Sequence, residues 1–201
     1  MALLSLFENN YEKTLMWVLI GVILDSFDGL VARAFRATTE IGKQLDSLCD
    51  VISFGVVPGY FMYKYLSDFL SYELVPLSLS AFVVTLASIF RLARFNITPS
   101  SQLDFQGLPT PAFALFVIGI PFIPYEINPI IITVIVALLT VLMVSKIMLP
   151  SQKFVNGKPS NFFWIFAVVA IPVLLIFRSQ ALSLTVLTYA FFGMLYMRLR
   201  A

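Results

Sequence analysis

Long apolar stretches separated by short polar interruptions run the length of the chain, and their spacing suits membrane-crossing helices. Seven apolar spans stand out, near residues 15 to 33, 45 to 65, 75 to 93, 110 to 125, 129 to 147, 161 to 177 and 182 to 197. Each is about long enough to cross a hydrocarbon layer of about 30 Å. Helix-starting residues stand at the interruptions: Thr38, Thr39 and Glu40 before the second span, Pro109 and Pro111 at the fourth, Asn128 and Pro129 at the fifth. The sequence carries no internal repeat or low-complexity tract, and no cleavable signal peptide is expected. The pattern predicts an all-α fold, a polytopic transmembrane helical bundle, with residues 1–201 forming a single integral membrane domain.

Composition agrees with that class. Hydrophobic residues make up 60% of the chain and charged residues 12%, with a mean hydropathy of +0.94, values of polytopic membrane proteins rather than soluble domains. The formal net charge is only +2, and no nucleic-acid partner is expected. The distribution of Lys and Arg changes the picture more than their sum does. Alternating the spans sends Arg33, Arg36, Lys43, Arg91, Arg94, Lys146, Lys153, Lys158, Arg198 and Arg200 to one side, and Lys13, Lys64 and Arg178 to the other. The positive-inside bias puts the first side in the cytoplasm.

Four carboxylates interrupt the first two spans. Asp25 and Asp28 stand three apart, Asp46 and Asp50 four apart, so each pair projects from one helical face and two neighbouring helices can offer all four to one cleft. Each costs about 2.5 to 3.5 kcal/mol at the centre of a membrane helix, and a pair of divalent cations would offset that cost. There is no histidine, and the single Cys49 is flanked by oxygen donors. An all-oxygen set suits Mg2+ or Mn2+ and argues against zinc or copper. Gly29 and Ala32 continue the Asp25 stripe and leave room for a ligand against the helix backbone. Gly42 heads the Asp46 and Asp50 stripe and is placed to let two helices approach. Asp46 lies about two turns, some 10 Å, inside its helix, roughly at headgroup depth on the cytoplasmic side.

Together these positions read D-x2-D-G-x2-A-R-x8-G-x3-D-x3-D, from Asp25 through Gly29, Ala32, Arg33 and Gly42 to Asp50. The pattern resembles the signature of the CDP-alcohol phosphotransferase family at every specified position. SFGVVPG at 53 to 59, RLARFN at 91 to 96 and GLPTPA at 107 to 112 are similar to its phosphatidylserine synthase branch. Members carry a further helix ahead of the motif helix, whereas MALLSLFENNYEK is too short to cross a bilayer. The expectation is therefore a truncation there, or that residues 1 to 7 are the stub of that helix.

The resemblance implies an integral membrane phosphatidyltransferase, a homodimer, that moves the phosphatidyl group of CDP-diacylglycerol to the hydroxyl of L-serine and releases CMP. It implies metal ligation by Asp25, Asp28, Asp46 and Asp50, with Asp50 also the general base. Asp25, Gly29, Ala32, Arg33, Gly42 and Lys43 would meet the CDP moiety. A positive-inside anchor remains the other reading of Arg33, and interfacial charge the other reading of Lys43. Arg91 and Arg94 can bind the acceptor carboxylate through bidentate hydrogen bonds, with Ser53, Asn96 and Thr110 lining the same pocket. Ser and Thr in membrane helices also bond backbone carbonyls, which is their alternative role. Cys49 reads as a small buried packing residue. Two competitors stand beside this reading: a sibling enzyme using glycerol 3-phosphate or an inositol phosphate as acceptor, and an ion-coupled transporter.

Overall fold

The computed structural model describes residues 1–34, 39–70, 72–97, 105–123, 125, 127–150, 154–155, 158–159 and 181–200. These fall into two compact units, Met1–Ile97 and Thr98–Ala201. Among the described residues the structure is mostly helical, with four two-residue strands and short turns between the elements.

In the first unit, a short helix α1 (Ala2–Phe7) folds back on α2 (Tyr11–Ala34) through a tight corner. Asn9 takes φ 60°, a left-handed conformation that asparagine tolerates better than most side chains. Asn10 then caps α2, its Oδ1 accepting from the Lys13 amide at 3.0 Å. Leu6, Leu15 and Val18 are buried in this part of the unit. The next helix opens where the polar interruption predicts: Thr39 is the N-cap of α3 (Glu40–Val51), and its hydroxyl accepts from the Gly42 amide at 3.0 Å.

A π-helical turn (Ile52–Val56) joins α3 to α4 (Val57–Phe69) without a break, making one 30-residue helix from Glu40 to Phe69. The wider turn falls just ahead of Pro58, which has no N–H to give to the preceding turn. Residues Tyr72–Phe82 wind as a 3-10 helix before α5 (Val83–Ile97) begins. Close approach of backbones holds this unit together. A Cβ on Gly21 of α2 would lie 3.7 Å from the Phe54 ring, and one on Gly55 would lie 3.0 Å from Ser88 Cβ. At Gly59 a Cβ would collide with Thr85 Oγ1. Gly55 and Gly59 thus form a small-residue face one turn long against α5, the packing device of membrane helices. Thr85 Oγ1 adds a hydrogen bond to the Gly55 carbonyl at 3.0 Å.

In the second unit, β1 (Phe105–Gln106) pairs antiparallel with β2 (Met148–Leu149), and β3 (Phe154–Val155) with β4 (Lys158–Pro159). Gly107, at φ +71°, turns the chain from β1, and a Cβ there would run into the Met143 carbonyl. Pro109 and Asn128 begin α6 (Thr110–Gly119) and α7 (Pro129–Val144), as their sequence positions predict. Ser183, early in α8 (Ala181–Arg200), donates to the Phe116 carbonyl of α6 at 2.8 Å. Phe113, Ala114 and Val117 of α6 are fully buried.

Two described helices, Glu40–Phe69 and Leu77–Ile97, are long and apolar enough to cross a membrane, and 110–122, 129–144 and 182–198 form shorter apolar helices. The helices at 40–69, 110–122 and 129–144 coincide with expected spans, whereas the span near 75 to 93 starts as a 3-10 helix and runs on to Ile97. The expected span at 161 to 177 lies outside the described residues. Large apolar side chains on the outside of the first unit, among them Phe27, Leu48, Ile52, Leu86 and Phe90, are those of a membrane protein.

Candidate metal centre

The site grows from the periodicity of two helices. Asp25 sits on α2, while Asp46 and Asp50 stand one turn apart on α3. The opposite face of α3 carries Ile41, Leu45 and Leu48, continued by Ile52 at the start of the π turn, all exposed, so this helix separates a carboxylate face from an apolar one. Folding brings the carboxylate oxygens of Asp25, Asp46 and Asp50 within 4.8 Å of one another. Asp25 and Asp50 are half-buried and Asp46 is exposed.

Like-charge repulsion within this cluster favours binding of a cation. Two carboxylates at such a separation repel by about 3.5 kcal/mol at an effective dielectric near 20. Asp25 and Asp46 both act on Asp50 as like charges, and the buried Arg91 of α5 acts on it as a counter-charge. The donor set fits a hard divalent ion: oxygens across a bound Mg2+ at about 2.1 Å stand at most about 4.2 Å apart, so a small side-chain adjustment lets the three carboxylates share one ion. Asp28 and the positions Gly29, Ala32 and Arg33 lie on α2, and Lys43 on α3. Their side chains are outside the description.

The acceptor candidates are distributed differently from one another. Arg91 is buried, close enough to the acidic cluster to act on Asp50. Arg94 places its guanidinium 4.8 Å over the centroid of the Phe90 ring, a cation–π contact. Ser53 is half-buried in the π turn. Asn96, at the end of α5, is hydrogen-bonded to α3, exchanging bonds with Ser47 at 2.9 and 3.2 Å and donating to Gln44 Oε1 at 3.4 Å. Thr110 is fully buried as the first residue of α6 in the second unit.

One reading of the sequence needs correction. Cys49 is exposed rather than buried, because on α3 it falls between the carboxylate face and the outward apolar stripe. At Gly42, among the described residues, a Cβ would lie 2.9 Å from Thr39 Oγ1 of its own N-cap. A close helix approach that the sequence reading missed occurs at Gly55 and Gly59, and the signal was present as G-x-x-x-G inside SFGVVPG. Ser47 had no motif to mark it.

A family model described as CDP-alcohol phosphatidyltransferase matches residues 1–152. Among curated proteins, the chain is 32% identical over 153 residues to the CDP-diacylglycerol–serine O-phosphatidyltransferase of Bacillus subtilis, covering 76% of this chain and 83% of that protein. It is 35% identical over 195 residues to the protein of the same name from Methanocaldococcus jannaschii, covering 96% of this chain and 86% of that one. A shorter match, 34% identical over 117 residues, joins it to the archaetidylserine synthase of Methanothermobacter thermautotrophicus, with 57% and 48% covered.

Proposed function

The chain belongs to the CDP-alcohol phosphatidyltransferase family, and on that premise we propose that it is a phosphatidylserine synthase, transferring the phosphatidyl group of CDP-diacylglycerol to L-serine. The observation that carries the reading is the convergence of Asp25 from α2 with Asp46 and Asp50 from α3, their oxygens within 4.8 Å. The names of the relatives from Bacillus subtilis and Methanocaldococcus jannaschii support serine as the acceptor.

In this reading Asp25, Asp28, Asp46 and Asp50 hold two divalent cations, Mg2+ or Mn2+. Bound cations supply charge neutralisation for the diphosphate and for the departing CMP. Asp50 takes the proton of the serine hydroxyl as its oxygen bonds to the phosphatidyl phosphorus and the bond from that phosphorus to CMP breaks. Its half-buried position beside Asp25 and Asp46 supports that role. Arg33 and Lys43, with Gly29, Ala32 and Gly42, accommodate the CDP moiety. Arg91 and Arg94 serve the serine carboxylate, with Ser53 as a further contact. We further propose a multi-pass protein of seven spans in the cell membrane, one functional domain from 1 to 201, working as a homodimer with its site open to the cytoplasm.

The test is CMP release by the purified protein from CDP-diacylglycerol with L-serine, glycerol 3-phosphate or an inositol phosphate offered in turn. Serine should give the fastest turnover. Faster release with glycerol 3-phosphate would overturn the synthase reading, and no release with any acceptor would overturn the transferase reading.

A further inference from the structure

Helix α5 is fastened to the helix that carries Asp46 and Asp50 at two places. At one, Thr85 Oγ1 donates to the Gly55 carbonyl in the π turn at 3.0 Å. At the other, Asn96 Nδ2 donates to Ser47 Oγ at 2.9 Å and to Gln44 Oε1 at 3.4 Å, and Ser47 Oγ and Asn96 Oδ1 stand 3.2 Å apart as donor and acceptor. Residues 85 and 96 are about three turns apart at 3.6 residues per turn, so they occupy one edge of α5. Arg91 lies between them along the axis. Ser47 follows Asp46 directly, and the same turn of α3 leads to Asp50.

Apolar side chains in a membrane gain little by choosing a helix neighbour over lipid, so alkyl contact alone leaves helix rotation weakly specified. Directional hydrogen bonds specify it. The requirement is strict here: with carboxylate oxygens roughly 6 Å from the axis, a rotation of about 20° carries them about 2 Å. Metal-ligand distances tolerate only about 0.2 Å.

We propose that Asn96 is a positioning residue for the acidic centre: through Ser47 and Gln44 it sets the rotation and height of α3 against α5, which keeps Asp46 and Asp50 gathered with Asp25. This rests on the reading of those carboxylates as metal ligands. It differs in consequence from a role for Asn96 at the acceptor, because a positioning residue acts on metal binding before any substrate is present.

The experiment uses the full chain in lipid nanodiscs as parent, Ser47→Ala, Asn96→Ala, the double variant and Ser47→Thr. Substrate-free Mn2+ binding is followed by electron paramagnetic resonance, and the serine KM is measured at saturating Mn2+. Each alanine variant should weaken Mn2+ binding roughly tenfold, as losses behind a ligand commonly do. The double variant should bind no more weakly than Asn96→Ala, since that change already removes the Ser47 contact along with the one to Gln44. Ser47→Thr, which keeps the hydroxyl, should bind as the parent does, and serine KM should stay within about twofold throughout. Unchanged Mn2+ binding in Ser47→Ala and Asn96→Ala overturns the positioning role alone, as does a serine KM raised by Asn96→Ala and untouched by Ser47→Ala. A parent that binds no Mn2+ overturns the metal reading and the positioning role with it.

Discussion

Replacing Gly59 by alanine should have opposite effects in two backgrounds. In an isolated helix the change from Gly to Ala stabilises by about 1 kcal/mol. Here the new Cβ collides with Thr85 Oγ1, and overpacking of that kind costs about 1 to 3 kcal/mol. The difference leaves Gly59→Ala destabilising by roughly 0 to 2 kcal/mol in the parent chain. Thr85→Ala removes the obstructing oxygen, and its loss of the 3.0 Å bond to the Gly55 carbonyl should cost about 0.5 to 1.5 kcal/mol. Once that oxygen is gone, the nearest remaining atoms to the new methyl are the residue 85 Cβ at 3.6 Å and its amide nitrogen at 3.7 Å, ordinary contact distances. Gly59→Ala should therefore stabilise the Thr85→Ala chain by about 1 kcal/mol, giving a coupling of about 1 to 3 kcal/mol. Reversible unfolding of the four proteins in mixed detergent micelles measures it. An equal effect of Gly59→Ala in both backgrounds would refute the close packing of α4 on α5.

Three further outcomes follow from the site and the topology. Asp25→Asn and Asp46→Asn should each abolish CMP release and substrate-free Mn2+ binding while leaving thermal unfolding near that of the parent; full turnover in either variant, or in excess chelator, contradicts the metal centre. Arg94→Lys and Arg91→Lys keep the charge but lose the planar guanidinium fork, and should raise the serine KM by the equivalent of about 1.5 to 3 kcal/mol, with the KM for CDP-diacylglycerol nearly unchanged. Serine kinetics that stay at parent values in both variants remove the two arginines from the acceptor site. With Cys49 replaced, a cysteine introduced between 153 and 158 should be labelled only from the cytoplasmic side and one between 67 and 74 only from outside; labelling of both from one face would show the seven-span topology to be miscounted between them.

What the sequence determined by itself is what depends on position along one helix. The 3.6-residue period puts Asp46 and Asp50 on one face of α3, and Thr39, Pro109 and Asn128 begin their helices because capping and proline geometry act over a few neighbouring residues. The oxygen-only donor set and its spacing likewise sufficed to point to a divalent cation and to the family. Tertiary structure decided how the helices are rotated against one another: the burial of Arg91 near Asp50, the bonds of Asn96 to Ser47, the close approach of Gly59 to Thr85, and the exposure of Cys49. An apolar side chain that faces lipid looks the same in sequence as one that faces another helix, because the two surroundings are almost equally apolar. Rotation is set instead by small residues that admit a neighbour and by polar side chains that find a partner across the interface, and such pairs exist only once the helices have met.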